Sequence, residues 1–163
     1  MRFVLAVAGL LFSASCFSQT GYSIHFHVQG LRDTTAYLGF YSGESTFVKD
    51  TAHVNSKGEF VFTGKQPLPQ GVYFLVLDRT RIFELVVGSA QNFTLETSTS
   101  DYIKNMKVKN DVDNTLFYDN MVFNMERHKE AEPFIKVIQD STLKEDQKKE
   151  AREAFGSASE AFS

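Results

Sequence analysis

Two histidines that could bind a metal, His25 and His27, lie two residues apart in a segment where polar and apolar residues alternate. Side chains at positions i and i+2 of a strand point to the same face, so the pair could supply two ligands to Zn²⁺ or Cu²⁺. Such a site needs a third ligand, and nothing in the sequence places His53 or His128 near the pair. The pattern therefore favours solvated strand residues, and we expect neither a metal nor another cofactor.

Other residue types that carry out catalysis are present without the surroundings that would activate them. Carboxylates are plentiful, but none is paired in a context that indicates the raised pKa of a general acid. The glycine-rich phosphate loops and the Gly-x-Ser-x-Gly nucleophile turn are both absent from the sequence. The sequence thus predicts no catalytic residue, and we expect this chain not to be an enzyme.

The only cysteine, Cys16, lies in an N-terminal segment with the layout of a secretory signal. A positive charge at Arg2 precedes an unbroken apolar run over residues 3–12, and small and polar residues follow as far as Ser18. The apolar run is shorter than the roughly twenty residues that cross a bilayer. Residues 1–18 are therefore predicted to be a signal peptide, which implies export to the periplasm or cell envelope and a mature chain without a membrane span.

Two processing routes fit this segment, and they leave Cys16 with different fates. Cleavage after Ser18 removes the cysteine and leaves Gln19 as the N-terminus. A lipoprotein signal would instead be cut before Cys16, whose thiol would carry the lipid. Such signals usually have Leu three residues before the cysteine, where this chain has Ser13. Cleavage after Ser18 is favoured, and the mature chain then contains no thiol and no disulfide.

The composition is that of one folded domain with an aromatic core. The chain contains 16 Phe and 6 Tyr residues, and we expect Phe60 and Phe62 to face the core. The formal net charge is −3 and the pI is about 5.8. Proteins that bind nucleic acid normally present a basic face, so this charge argues against a nucleic-acid partner.

Residues 19–100 are predicted to form an antiparallel β domain. Apolar and polar residues alternate from Tyr22 onward, and six or seven such short runs recur with Gly or Pro between them. Strands in this arrangement, without intervening helices, imply an antiparallel β-sandwich or an open barrel and leave no room for parallel βαβ units. Residues 55–58 predict a hairpin turn with a positive φ at Gly58, and the apolar run 82–87 predicts a central strand.

Residues 101–163 are predicted to be a helical tail. Asp113 and Asn114 are residue types that cap the start of a helix, because their short side chains accept hydrogen bonds from the first turn. Pro133 is expected to start or break a second helix, and a charged third helix is expected over residues 143–155. The last helix has few apolar residues and the sequence stops at Ser163 without a capping Gly or Pro, so we expect the chain to be truncated there.

Short motifs across the predicted β domain resemble those of one bacterial family. The main run is DTAHVNSKGEFVFTG at residues 50–64, which fits the pattern D-x-A-x-V-x-x-x-G-x-F-x-F-x-G. Shorter segments fit as well, namely YSIHFHVQGL from Tyr22, GVYF from Gly71, QNFTLE from Gln91 and NTLF from Asn114. The family is a domain of unknown function that precedes the thioredoxin domain of envelope thiol-disulfide oxidoreductases of the TlpA/ResA type. The resemblance covers residues 22–124, and it implies that the helical tail, residues 101–163, is a truncated linker to a missing C-terminal thioredoxin-like domain.

The resemblance implies a non-catalytic accessory module that positions, dimerises or recruits substrate for a thioredoxin-like domain outside this chain. The Cys-x-x-Cys motif of such a domain is absent here, and thiol-disulfide exchange requires a thiolate. The implied partner is therefore a protein or a covalently following thioredoxin-like domain, with a homodimer as a further arrangement. The alternative is a stand-alone envelope module that binds a peptide or a glycan on the β face near Tyr37 and Tyr41.

Because Ser13 stands where a lipoprotein signal usually has Leu, we predict that the exported protein begins at Gln19 and carries no lipid. Intact-mass measurement of protein purified from the cell envelope checks this prediction, since the two processing routes leave different N-termini and only one adds acyl chains. A diacylated or triacylated Cys16 would contradict it.

Overall fold

A computed structural model of the chain describes residues 21–160, with the side chains of residues 159 and 160 left out. The predicted signal peptide and Cys16 lie outside these described residues. Within them, the chain forms eight strands and then two helices, α1 (Val112–Gln139) and α2 (Glu145–Glu160). The strands are β1 (Tyr22–Gln29), β2 (Thr35–Ser42), β3 (Ser45–His53), β4 (Glu59–Gly64), β5 (Gly71–Leu77), β6 (Thr80–Val87), β7 (Asn92–Ser98) and β8 (Lys107–Lys109).

The strands form two sheets of four. The first sheet has the order β4-β1-β7-β8 and the second has the order β3-β2-β5-β6. The predicted fold class, mainly β followed by helices, is confirmed, and the sheets do not close into a barrel. The first sheet extends to Lys109, past residue 100 where the sequence analysis ended the β domain.

One strand pair departs from the antiparallel expectation. β1 pairs with β7 in parallel register, from Ser23 opposite Asn92 to Gln29 opposite Ser98. A parallel pair needs a long crossover connection, which is usually a helix. Here the intervening strands β2–β6 make the crossover, and most of them belong to the second sheet. The absence of a helix between strands was therefore not sufficient to exclude a parallel pair.

The core lies between the two sheets and is rich in phenylalanine. The alternating residues of β1 bury Ile24, Phe26 and Val28 almost completely. The Phe26 ring stacks on Phe60 with centroids 4.8 Å apart, and it meets the edge of Phe62 at 5.6 Å. Phe60 and Phe62 are both buried, so the prediction that they face the core is confirmed. Packed aromatic pairs of this kind stabilise a core beyond the area that they bury.

The turn at residues 55–58 joins the two sheets rather than two paired strands. Gly58 has the predicted positive φ, +79°, and a Cβ atom there would lie 2.1 Å from the Val28 carbonyl oxygen. The strands on either side of it, β3 and β4, belong to different sheets, so the predicted hairpin is wrong. A tight hairpin instead joins β5 to β6, where Asp78 and Arg79 have φ values of +48° and +66°. Positive φ at both central residues is typical of a type I′ turn.

β3 and β4 lie side by side at one seam of the sandwich. Across this seam the Tyr22 hydroxyl of β1 donates a hydrogen bond to the Asp50 carboxylate of β3, with 2.8 Å between the oxygens. Burial and this hydrogen bond raise the pKa of Tyr22, so the phenol remains a donor at physiological pH. The second half of β3 is thereby fixed to the first sheet.

Helix α1 covers the opposite side of the sandwich, where it contacts β6 and β8. β6 is an edge strand, so the prediction that residues 82–87 form a central strand is wrong. The Asn114 side-chain amide makes the hydrogen bonds to β6 that a further strand would make. Its oxygen accepts from the Val86 N–H at 2.8 Å, and its nitrogen donates to the Val86 carbonyl at 2.6 Å. One turn later, the Tyr118 hydroxyl donates to the Glu84 carbonyl at 2.5 Å.

The N-cap of α1 is neither Asp113 nor Asn114, because Asn114 must lie inside the helix to reach Val86 of β6. Asp111 is the N-cap, and its carboxylate accepts from the Asp113 N–H at 3.1 Å and from the Asn114 side chain. Asn114 lies inside the first turn and is fully buried. Both residue types suit an N-cap, but the buried contact with β6 requires Asn114 within the helix.

Pro133 neither starts nor breaks a helix, because α1 continues through it to Gln139. Pro133 is exposed, so water can solvate the carbonyl that loses its helical partner. α2 folds back on α1, with the Phe134 and Phe155 ring centroids 6.3 Å apart. No helix within residues 21–160 combines the length and apolar character needed to cross a bilayer.

We predict that Asn114→Ala destabilises the protein by about 1–3 kcal/mol, because it leaves the N–H and C=O groups of Val86 without their partner. Urea unfolding followed by far-UV circular dichroism measures the change. Asn124→Ala is the matched control, since Asn124 is exposed and its amide donates to Asn120 of the same helix. The control should change stability by less than about 0.5 kcal/mol. Equal effects in the two variants would contradict the role assigned to Asn114.

Candidate functional site

The outward-facing side of the second sheet carries a cluster of aromatic and charged side chains around a glycine. Gly39 of β2 lies directly opposite Phe74 of β5. A Cβ atom at position 39 would approach the Phe74 ring to 2.1 Å, so the ring lies over the glycine and is itself buried. Glycine in a strand often marks such a close approach. Phe74 is thereby held against β2 at the base of the cluster.

Tyr41, Phe74, Arg81 and Glu84 together form what we call the Tyr41 cluster. The Tyr41 ring meets Phe74 edge-on, with centroids 5.0 Å apart. The Arg81 guanidinium lies 4.3 Å from the Phe74 ring centroid and 5.0 Å from that of Tyr41. A guanidinium at these distances is attracted to the ring faces. The cluster is therefore a pair of aromatic rings covered by one cation.

Hydrogen bonds set the orientation of the Tyr41 hydroxyl. It accepts from Arg81 Nη1 at 2.7 Å and donates to the Glu84 carboxylate. The hydrogen bond to Glu84 raises the pKa of Tyr41, so the phenol stays protonated at neutral pH. It is thus suited to orient Arg81 and Glu84 and not to act as a base or a nucleophile.

Apolar side chains surround the cluster on the same face. Val48 of β3 lies opposite Gly39 and is 61% exposed, and Val72 of β5 lies opposite Val86 and is 41% exposed. Single exposed apolar residues are normal on protein surfaces, whereas a contiguous patch marks an interaction surface. We call this face of the second sheet, with the Tyr41 cluster at its centre, the aromatic face.

Both tyrosines that the sequence analysis proposed as ligand-facing lie on the aromatic face, because they are four residues apart on β2. Tyr41 belongs to the cluster and is 39% exposed. Tyr37 lies further along the strand, opposite Thr51 and Val76, and is partly buried. The sequence analysis did not single out the other three members of the cluster. The glycine between the two tyrosines was the signal that a ring packs against the strand at that position.

His25 and His27 lie exposed on the outward-facing side of the first sheet. His25 Nε2 is 2.9 Å from the Ser23 hydroxyl, and His27 lies opposite Glu59 and Glu96. The structure also brings His53 to the same shallow depression, a placement that the sequence did not indicate. Even so, no group of three or more potential ligands within residues 21–160 is arranged to hold a metal ion.

No constellation of catalytic side chains is found in the described part of the chain. The buried phenols have structural partners, such as the Pro69 carbonyl that accepts from Tyr73 at 2.9 Å. In residues 21–160, each buried side-chain nitrogen or oxygen has a hydrogen-bond partner.

Residues 22–117 match the model of a family described as a domain of unknown function, DUF4369. The match covers more than half of the 163 residues, and the chain belongs to this family. The matched region contains all eight strands and the first turn of α1, including Asn114, and it excludes α2. No curated protein and no solved structure matches the chain.

We predict that Gly39→Ala destabilises the protein by about 1–3 kcal/mol, because the added methyl group must displace the Phe74 ring. Gly156→Ala is the matched control, since nothing lies within 4 Å of a Cβ atom at that helical position. The control should be neutral or stabilising by up to about 1 kcal/mol. Urea unfolding of both variants measures the difference. A neutral Gly39→Ala variant would show that Phe74 is not held against the glycine.

Proposed function

We propose that this chain is the non-catalytic accessory module of an exported thiol-disulfide oxidoreductase of the periplasm or cell envelope, and that its aromatic face recruits polypeptide substrate. The observation that carries the proposal is the exposed Tyr41 cluster, where Arg81 covers two aromatic rings beside the exposed side chains of Val48 and Val72. The resemblance of residues 22–124 to modules that precede thioredoxin domains supports the oxidoreductase context.

The chemistry of the aromatic face suits a polypeptide. Val48, Val72 and the Tyr41 ring present apolar surface that can pack against aliphatic or aromatic side chains. Arg81 has five N–H donors, of which one is used on Tyr41. The others can reach backbone carbonyl groups or a carboxylate of a bound chain. Tyrosine and arginine on a partly apolar surface are the residue types that contribute most to protein interfaces.

The assignment of a non-catalytic role rests on the missing nucleophile. The sequence contains no cysteine after Cys16, and disulfide exchange proceeds by attack of a thiolate. Tyr41 remains a protonated phenol because of its hydrogen bond to Glu84. In this proposal, reduction or oxidation of the substrate takes place in a thioredoxin-like domain that follows this module in a longer protein.

We predict that the processed chain, residues 19–163, does not accelerate the reduction of insulin by dithiothreitol, because it supplies no thiolate. Turbidity from the precipitating insulin chains measures the rate, and thioredoxin is the positive control. Any acceleration above the rate in buffer would contradict a non-catalytic role.

The recruiting role is tested in the longer gene product. If the reading frame continues beyond Ser163 into a Cys-x-x-Cys segment, the purified parent protein should reduce insulin. Arg81→Glu should then slow the reduction of insulin several-fold and leave the reduction of a small disulfide, such as glutathione disulfide, unchanged. Arg32→Glu is the charge-matched control, since Arg32 is exposed and lies outside the aromatic face. Equal effects of Arg81→Glu on both substrates would contradict recruitment by this face.

A stop codon directly after Ser163 would remove the main support for the accessory role. A stand-alone envelope module that binds a peptide or a glycan on the same face would then be the better proposal. Aromatic rings beside charged groups, as at Tyr41 and Arg81, are compatible with either ligand.

A further inference from the structure

Helix α1 carries apolar side chains on two opposite sides. On the side toward the sheets, Phe117 and Met121 pack against the core. On the side that faces away from the sheets, Val112, Leu116 and Phe123 are 71%, 63% and 46% exposed. A helix that packs on one side only normally has charged and polar residues on the other. Exposed apolar residues that line up along one side of a helix are instead typical of an interaction surface.

Six residues on the outward side of α1 follow the alternating spacing of four and three residues that is found at the contacting positions of a coiled coil. At about 100° per residue, they fall within a sector about 80° wide. All six are exposed. A stripe this narrow suits packing against one other helix. We call these residues the outward stripe: Val112, Leu116, Asp119, Phe123, Glu126 and Glu130.

Half of the outward stripe is acidic. Among the described residues, no side chain forms an ion pair with Asp119, Glu126 or Glu130. The Arg127 guanidinium lies beside the stripe, 5.7 Å from the Phe123 ring centroid. A carboxylate that is buried in an interface is costly unless a cation or a hydrogen-bond donor meets it. A partner that covers the whole stripe must therefore supply positive charge.

We propose that the outward stripe docks an amphipathic helix of another protein, whose contacting positions are apolar near one end and occupied by Lys or Arg near the other. The polarity follows from the order of the stripe, because Val112 and Leu116 lie at its N-terminal end and Glu126 and Glu130 at its C-terminal end. The stripe is about 27 Å long at 1.5 Å per residue, which is about five turns of the partner. The inference does not depend on the recruiting role proposed for the aromatic face.

The charges of the outward stripe disfavour two other occupants. A second copy of α1 in parallel would place each carboxylate beside the same carboxylate of its partner. In an antiparallel pair with full overlap, Val112 lies level with Glu130 and Leu116 with Glu126, so each apolar side chain meets a carboxylate instead of apolar surface. The negatively charged surface of a membrane would repel the acidic half of the stripe.

Two synthetic helical peptides that differ only in charge test the proposal. Both have Leu at three successive contacting positions, and the next three such positions are Lys in one peptide and Glu in the other. The Lys peptide should bind the processed chain, residues 19–163, roughly tenfold more tightly than the Glu peptide, and added salt should reduce the difference. Fluorescence anisotropy of the labelled peptides measures the dissociation constants.

Substitutions within the stripe should weaken the binding of the Lys peptide. Leu116→Ser and Glu126→Lys should each raise the dissociation constant roughly tenfold, and Glu126→Lys should also improve binding of the Glu peptide. Phe47→Ser is the control, since Phe47 is 52% exposed on β3 and lies outside α1. Circular dichroism checks that the variants are folded. Equal affinity for the two peptides, or an unchanged affinity in Leu116→Ser, would overturn the proposal.

The natural occupant is tested by photo-crosslinking in cells from a benzoylphenylalanine at position 116. The crosslinked segment, identified by mass spectrometry, should have apolar residues three and four apart and Lys or Arg at the same spacing beyond them. An acidic segment, or one without this spacing, would contradict the proposal. A dimer in sedimentation velocity that Leu116→Ser abolishes would assign the stripe to a second copy. Binding to anionic vesicles that the same substitution abolishes would assign it to a membrane, and either result would overturn the proposal.

Discussion

The fold depends on the way in which one amide side chain completes the edge of β6. Asn114 presents a donor and an acceptor to Val86 in the same orientation as the peptide group of a neighbouring strand. Without it, the last strand of the second sheet would have open hydrogen-bonding groups beside the core. The contact also fixes the first turn of α1, which must begin at Asp111 for Asn114 to reach the strand. Tyr118, one turn later, then packs against Phe83 with its hydroxyl on the Glu84 carbonyl.

The strands could be predicted from the sequence where one face is buried and the other is solvated. The alternation in β1 and the burial of Phe60 and Phe62 followed directly from that pattern. The position of a strand within its sheet did not follow from this pattern. An edge strand that is covered by a helix, such as β6, has the same apolar side chains as a central strand. Residues 55–58 have the composition of a tight turn, but composition does not indicate whether the strands beside a turn pair with each other.

The helix boundaries and the aromatic face also depend on contacts between distant segments, which the local sequence does not indicate. Asp111, Asp113 and Asn114 are all suitable N-cap residues, and only the contact with β6 selects Asp111. The two tyrosines of β2 could be assigned to one face from their spacing alone. Phe74, Arg81 and Glu84 lie on two other strands, and the register of β2, β5 and β6 brings them to Tyr41. Register arises from the packing of the whole sheet, so it could not be read from any one segment.

The parallel pairing of β1 with β7 has a consequence for the order in which the molecule can assemble. During synthesis β1 appears first, and the strand that pairs with one side of it, from Asn92 to Ser98, appears only after five other strands. Native contacts between such distant segments raise the contact order and slow folding, since the ends of a long loop must meet before the pairing stabilises them. β1 therefore stays unpaired on that side, with its backbone hydrogen-bonding groups exposed, until β7 has been synthesised.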